Sequence, residues 1–451
     1  MEIIFGVSGL RGVVGEGLSP ELICSYVSSF AKEIPQGKVV IGNDSRISGD
    51  MVKNAVVSSL QALGFDIIDI GTAPTPTVQF VTKIKNASGG ISITASHNPE
   101  KWNGLKFIEG NGIFFNEKKI IAIKRNLDEK KFKFQSYDKL GKLVIDTSAK
   151  ELHMNSVFEK INFDCLGKDN FTVAIDACNA AGSEFIPQFI EKLGFKVIKL
   201  NCDLEASFPR NPEPLKENLS SFSDFIKENG NIDIGFALDG DADRVAILDE
   251  KGHYIGEENT LVLASKFFIE HMNPQNKTVV TNLSTTRALD DIVSSSGGRV
   301  IRSKVGEINV VEEMIRVNAS IGGEGNGGVI FPMIQYARDS LSAISLILLG
   351  LSKSRMPISL VVSELPKYYM VKEKITISKE SFEKNLPYVK EFFTGYPYTD
   401  IDGLKFDLDD SWIHIRPSNT EPVVRIIAES KSIEKANKLV EETKNLMKAP
   451  C

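Results

Sequence analysis

One pattern recurs three times along this chain, and it constrains the fold more than any other feature. KVVIGNDSRISGDMVKNAVVSSLQALGFDIIDIG begins at Lys38, FTVAIDACNAAGSEFIPQFIEKLGFKVIKLN at Phe171, and KTVVTNLSTTRALDDIVSSSGGRVIRSKVG at Lys277. Each opens with a β-branched apolar run, which predicts a buried strand. Small and polar residues follow, then an apolar-periodic helix. Each helix closes near a glycine (Gly64, Gly194 and Gly298), the residue favoured just past a helix end. A second apolar strand comes next. Three β-α-β units predict parallel sheets with helices on their faces. At about 100–200 residues per domain, the 451 residues hold three such domains and something more.

The remainder, from about Val371, reads differently. KEKITIS, a helical stretch, GLKFDL, SWIHIRPSNTEPVVRIIAES and an amphipathic helix from Ser432 predict a smaller α+β domain. The expected fold is therefore α/β. It has three tandem, similar domains with mixed, mostly parallel sheets at 1–148, 149–252 and 253–368, and an α+β domain at 369–451.

A formal net charge of −6 argues against a nucleic-acid partner. Five cysteines without a CxxC pair, and an N-terminus lacking a basic region followed by an apolar one, predict a cytoplasmic protein with reduced thiols. The apolar stretch at Leu341–Leu351 is too short to span a bilayer and predicts a buried helix.

Each repeat leads to a polar loop after a further apolar strand: TASHNP (Thr94–Pro99), DGDADR (Asp239–Arg244) and GEGNGG (Gly323–Gly328). Loops at the carboxyl ends of parallel strands are where α/β sheets place ligands, so three domains can each offer one loop to a shared cleft. In DGDADR, Asp239, Asp241 and Asp243 alternate with small residues. In an extended chain their side chains share a face, Gly240 and Ala242 leave room for the backbone to curl so that all three converge, and clustered hard oxygens select Mg²⁺, Ca²⁺ or Mn²⁺. An EF-hand spacing is present, but Arg244 stands where that calcium loop needs glycine, and a strand precedes it. TASHNP offers Ser96, His97 and Asn98; the GxSxG elbow of serine hydrolases is absent. GEGNGG sets Glu324 and Asn326 among glycines, which suits sugar hydroxyls. RPSNTEP with Arg425 gathers arginines, hydroxyls and loop amides into a dianion cradle.

Together with FGVSGLRG near the start, these loops resemble the α-D-phosphohexomutase family, in its order and along the whole chain. The resemblance implies four domains around a deep cleft, with Ser96 phosphorylated in the active enzyme. Asp239, Asp241 and Asp243 would hold Mg²⁺ together with a phosphoserine oxygen, and Arg11 and Lys106 would lie near the transferred group. His97 and Asn98 would support the serine loop. Arg244, Lys304, Glu324 and Asn326 would lie on the substrate side. Arg416, Ser418, Asn419, Thr420 and Arg425 would grip the phosphate that is not transferred.

The implied reaction interconverts hexose 6-phosphate and hexose 1-phosphate through a hexose 1,6-bisphosphate that turns around in the cleft and also primes the enzyme. GEGNGG and RPSNTEP are closest to archaeal-type phosphoglucosamine mutases, which points to glucosamine 6-phosphate; a phosphomannomutase/phosphoglucomutase is the alternative. A sugar-phosphate-binding protein is the non-enzymatic reading. The expected partner is the small-molecule hexose phosphate, with neither membrane nor nucleic acid, for a monomer or homodimer.

Overall fold

The structure is a computed structural model that describes residues 3–164, 166, 171–417 and 423–448. The first sheet holds β1 (Ile4–Gly6), β2 (Gly9–Val13), β3 (Lys38–Asn43), β4 (Asp66–Thr72), β5 (Gly89–Ile93), β6 (Trp102–Glu109) and β7 (Leu143–Ile145), in the order β1-β2-β6-β5-β3-β4-β7. β8 (Thr172–Asp176), β9 (Lys196–Leu200), β10 (Ile234–Leu238) and β11 (Val245–Leu248) form the second, ordered β11-β10-β8-β9. β12 (Thr278–Asn282), β13 (Arg299–Ser303), β14 (Ile321–Glu324) and β15 (Gly328–Ile330) form the third, ordered β13-β12-β14-β15.

One unit is visible in all three sheets. The two strands of the sequence repeat pair in parallel (β3 with β4, β8 with β9, β12 with β13). A third strand adds in parallel on the other side of the first (β5, β10, β14). A fourth then folds back antiparallel on the third (β6, β11, β15). The three polar loops are the turns of these three hairpins. The first sheet departs from the mostly parallel expectation: β1, β2 and β6 add antiparallel pairs, so it is evenly mixed. The glycine endings also differ at one place. Gly64 and Gly194 take left-handed φ of 79° and 94° after their helices, but in the third unit Gly297, at 74°, does so in place of Gly298.

The fourth sheet is wholly antiparallel: β16 (Tyr369–Thr376), β17 (Tyr398–Thr399), β18 (Leu404–Asp407), β19 (Ser411–Pro417) and β20 (Val423–Ser430), in the order β16-β20-β19-β18-β17. The helices Lys379–Phe392 and Ile433–Lys448 belong to this domain.

The apolar cores divide unevenly. One cluster runs from Val40 and Val78 through Phe185 and Phe236 to Leu341 and Leu348, joining the first three domains. The apolar helix Ser340–Ser354 lies in it, buried along Ser340–Leu351, as the sequence led us to expect. The fourth domain keeps a core of its own, from Ile375 to Met447, and meets the third through polar contacts. Ser284 Oγ lies 2.8 Å from His414 Nδ1, the Val305 amide donates to Asp402 Oδ2 (3.0 Å), and the Arg287 amide donates to Glu429 Oε1 (2.8 Å).

Lys405 on β18 is 2% exposed. Its Nζ lies 4.9 Å over the Trp412 ring and 3.5 Å from Asp407. Burial, with Arg302 nearby, lowers its pKa to about 7. The unfolded lysine stays protonated to about pH 10.4, so the unfolded state binds more protons between these values and the penalty fades as pH rises. Lys405→Met is expected to raise the melting temperature at pH 7, with the gain shrinking by pH 10; thermal melts at the two pH values test this.

Candidate active site

The serine loop is fixed from below. Asp44, just after β3, is buried and ion-paired with Arg46 (2.9 Å). Arg46 donates to four carbonyls of the loop, those of Ser96 (2.9 Å), Asn98 (2.8 Å), Pro99 (2.7 Å) and Trp102 (2.9 Å). Thr94 Oγ1 donates to Asp44 (2.6 Å) and accepts the Ser96 amide (2.8 Å). Held this way, Ser96 adopts φ 51°, a left-handed conformation that costs a non-glycine residue about 1–2 kcal/mol. Its fully buried side chain donates to Asp239 Oδ2 (3.3 Å), with His97 Nδ1 at 3.5 Å. Asn98 accepts from Arg11 (2.9 Å).

The aspartate loop is a curled turn, for which the small residues Gly240 and Ala242 leave room, as expected from the sequence. Asp239 Oδ1 accepts the amides of Asp243 (3.1 Å) and Arg244 (3.3 Å), and Ala242 takes φ 52°. Curling converges the three carboxylates: one oxygen of each lies within 4.8 Å of the others. Gly240 passes so close to the serine loop that a Cβ there would sit 2.5 Å from the Ser96 carbonyl oxygen. Thr75 of the first domain donates to Asp241.

Cations from two other domains meet this triad. Lys106 on β6 donates to Asp241 (2.6 Å) and Asp243 (3.0 Å). Arg338, just ahead of the apolar helix, donates to Asp243 (2.7 Å), Glu324 (3.1 Å) and Glu307 (2.9 Å). Arg244 Nε lies 3.6 Å from Asp243 and 3.9 Å from Asp239. The charges perturb one another. Burial, then Asp243 and Asp241, push the Asp239 carboxyl well above its ordinary value. Burial opposes ionisation of Asp243 too, but Arg338 and Lys106 overcome it and hold its pKa below the usual range. Burial, with Arg244 and Arg11 beside it, keeps His97 neutral. Burial takes Arg11 down to about 10.

The residues fit a hard divalent cation. Asp241 Oδ1 and Asp243 Oδ1 are buried with no hydrogen-bond partner among the described residues, and an acceptor-only oxygen in that state calls for a cation.

The third loop abuts the second: the Val245 amide donates to the Gly327 carbonyl (3.1 Å). Glu324 is buried and accepts from Asn282 (2.9 Å), the Gly306 amide (3.0 Å) and Arg338. Asn326 turns toward Glu324 (3.5 Å). Lys304 is exposed, in a segment whose next two amides bind Asp402 and Glu324. In the fourth domain Arg416 and Arg425 are register partners on β19 and β20, with Arg416 3.5 Å from Asp402. Ser418, Asn419 and Thr420 lie outside the described residues.

Asp44, Arg46, Thr75 and Arg338 escaped the sequence reading. Only Arg338 left a signal: an Arg-Asp pair directly before an apolar helix must find partners once buried. Arg338→Met removes the cation that three buried carboxylates share and is expected to cost about 3–5 kcal/mol, read as a lowered denaturation midpoint.

All four parts of the chain match family models of phosphoglucomutase/phosphomannomutase: the alpha/beta/alpha domains I (residues 2–134), II (151–252) and III (256–369), and the C-terminal domain (367–446). A relative from Thermococcus kodakarensis named phosphoglucomutase/phosphomannomutase is 35% identical over 97% of each chain. One from Pyrococcus furiosus, named probable phosphoglucosamine mutase, is 37% identical over 98% of this chain and 97% of its own. Among solved structures, a Burkholderia thailandensis phosphoglucomutase/phosphomannomutase family protein superimposes with TM-score 0.87 at 25% identity, covering 99% of this chain and 97% of its own. An Aspergillus fumigatus N-acetylphosphoglucosamine mutase, in complex with GlcNAc-6P and magnesium, shares the fold with TM-score 0.62 at 14% identity, covering 99% and 95%.

Proposed function

Because the chain belongs to the phosphoglucomutase/phosphomannomutase family, we propose that it is a phosphohexomutase acting through phospho-Ser96, with glucosamine 6-phosphate and glucosamine 1-phosphate as its substrate pair. The observation that carries this is the meeting of Ser96 with the triad: a buried hydroxyl 3.3 Å from Asp239, among carboxylates that need a cation. The names of several archaeal relatives favour the amino sugar.

Asp239, Asp241 and Asp243 hold magnesium in this reading, and the ion supplies positive charge for phosphoryl oxygens. The chain's own groups do the rest. A hydroxyl of the hexose phosphate attacks phosphorus; a new O–P bond forms as the bond to Ser96 Oγ breaks. The hydroxyl's proton replaces phosphorus on the serine oxygen, and neutral His97, with Nδ1 3.5 Å from Oγ, is placed to relay it. Arg11, Lys106 and Arg244 balance the charge spread over the transferred group, as phosphoryl transfer requires. Burial of Ser96 and the loops around it excludes water, which would hydrolyse the phosphoserine.

Glu324 and Asn326 orient sugar hydroxyls, with Lys304 at the edge of that surface. Arg416 and Arg425, with Ser418, Asn419 and Thr420, grip the resting phosphate. Burial lowers the Arg416 pKa against the pull of Asp402, and Arg425 adds to the effect; two crowded guanidiniums favour an anion between them. The bisphosphate then reverses and returns its other phosphoryl group to Ser96. Cys24, Cys178 and Cys202 are free thiols, and among the described residues no helix is long and apolar enough to cross a membrane.

Ser96→Ala is expected to abolish turnover of glucosamine, mannose and glucose phosphates, assayed with magnesium and a bisphosphate primer, while leaving the melting temperature near wild type. Magnesium titration is expected to raise the wild-type melting temperature, as any ligand of the native state does, and to leave Asp241→Ala unmoved. Arg416→Ala is expected to raise KM through about 1.5–3 kcal/mol of lost charged hydrogen bonding; steady-state kinetics read it directly.

A further inference from the structure

We infer that Glu258 is a positioning residue for the sugar loop and that Lys372 ties its carboxylate to the fourth domain, so that the seating of that domain sets the loop; this rests on the mutase reading above. Glu258 opens the helix Glu258–Met272 and reaches up under the loop. Its Oε2 accepts the Thr286 amide (3.0 Å). The same oxygen lies against Gly325: a Cβ built there would sit 1.8 Å from it, so any side chain at this point of the loop would have to displace the carboxylate. The Gly325 amide in turn donates to Thr285 Oγ1 (3.2 Å), the neighbour of Thr286.

The other oxygen faces the fourth domain. Lys372 on β16 donates to Glu258 Oε1 (3.1 Å) and to Glu257 Oε1 (2.8 Å). Glu257 is fixed by the Tyr254 hydroxyl (2.6 Å). β16 is hydrogen-bonded to β20, the strand that carries Arg425. One ammonium therefore connects the strand pair of the phosphate cradle to the carboxylate beneath the sugar loop.

The chemistry of the position argues for coupling over packing. Burial pushes the Glu258 carboxyl up to about 7 despite Lys372, and Glu257 and Glu429 add to the rise. An amide of the same shape would accept the Thr286 amide and pack on Gly325 without that cost. What the carboxylate adds is a charged acceptor for Lys372. Because the fourth domain has its own core and reaches the third through polar contacts, such a contact can fix its seating.

The test uses Lys372→Met, Glu258→Gln and Lys372→Arg in the full chain at pH 8, where Glu258 is ionised. Two readouts are taken: hydrogen exchange of residues 323–328, and KM against kcat for glucosamine 6-phosphate. Lys372→Met and Glu258→Gln are expected to speed exchange in that segment. They should also raise KM about threefold to tenfold, the range of one partly exposed charged contact, with kcat nearly constant; Lys372→Arg restores both. Wild-type exchange in the first two variants overturns the inference. So does faster exchange with unchanged KM, or a Lys372→Arg variant that behaves like Lys372→Met. If the wild type turns over no hexose phosphate, the mutase reading fails instead, and exchange alone decides the coupling.

Discussion

Three aspartates buried side by side are the constraint around which the rest of the molecule is arranged. Carboxylates gathered with one oxygen of each within 4.8 Å of the others and out of water repel one another, and the repulsion needs compensating charge. The chain answers with cations drawn from outside the second domain: Lys106 from the first and Arg338 from the third. Neither cation reaches the triad unless the three sheets are locked together, and the shared apolar cluster locks them. Arg338 extends the same logic. By joining Asp243, Glu307 and Glu324 it makes the aspartate loop and the sugar loop parts of one network, so displacement of either is felt by the other.

Much of this was legible in the sequence, because the repeat and the loops obey local rules. Strand and helix periods mark three similar units, and the polar loops follow their third strands. The return strands β6, β11 and β15 were not legible: nothing local says that VAIL or GVI folds back antiparallel. The left-handed Gly297 rather than Gly298 is likewise settled by where the helix unwinds. Ser96, Asp239, Asp241 and Asp243 stood out because their residue types cluster along the chain. Asp44, Arg46 and Thr75 did not, because the partners that bring them into the site (Thr94, the Ser96 carbonyl and Asp241) lie far away in sequence. A buried arginine serving four carbonyls is a tertiary fact, and no short window contains it.

The division of the core separates two mechanical tasks. The first three domains share apolar contacts and bring charged groups of all three together, the positioning that phosphoryl transfer needs. The fourth is a compact body with its own interior, seated on polar contacts. A substrate that must release, rotate and rebind is better served by a seat of this kind than by a continuous core, whose separation would expose apolar surface.

The three hairpin turns have a wider consequence. Each occupies the same place in its domain, where the fourth strand folds back on the third; in the third domain the pairing runs into the loop itself, with Glu324 opposite Gly328. Side-chain chemistry can therefore differ from corner to corner over one kind of scaffold: a hydroxyl at the first, three carboxylates at the second, a glutamate among glycines at the third. Duplicated architecture of this sort lets three different sets of side chains meet from equivalent corners, and the contacts between them, Gly240 against the Ser96 carbonyl and Arg338 across Asp243 and Glu324, carry a change at one turn to its neighbours.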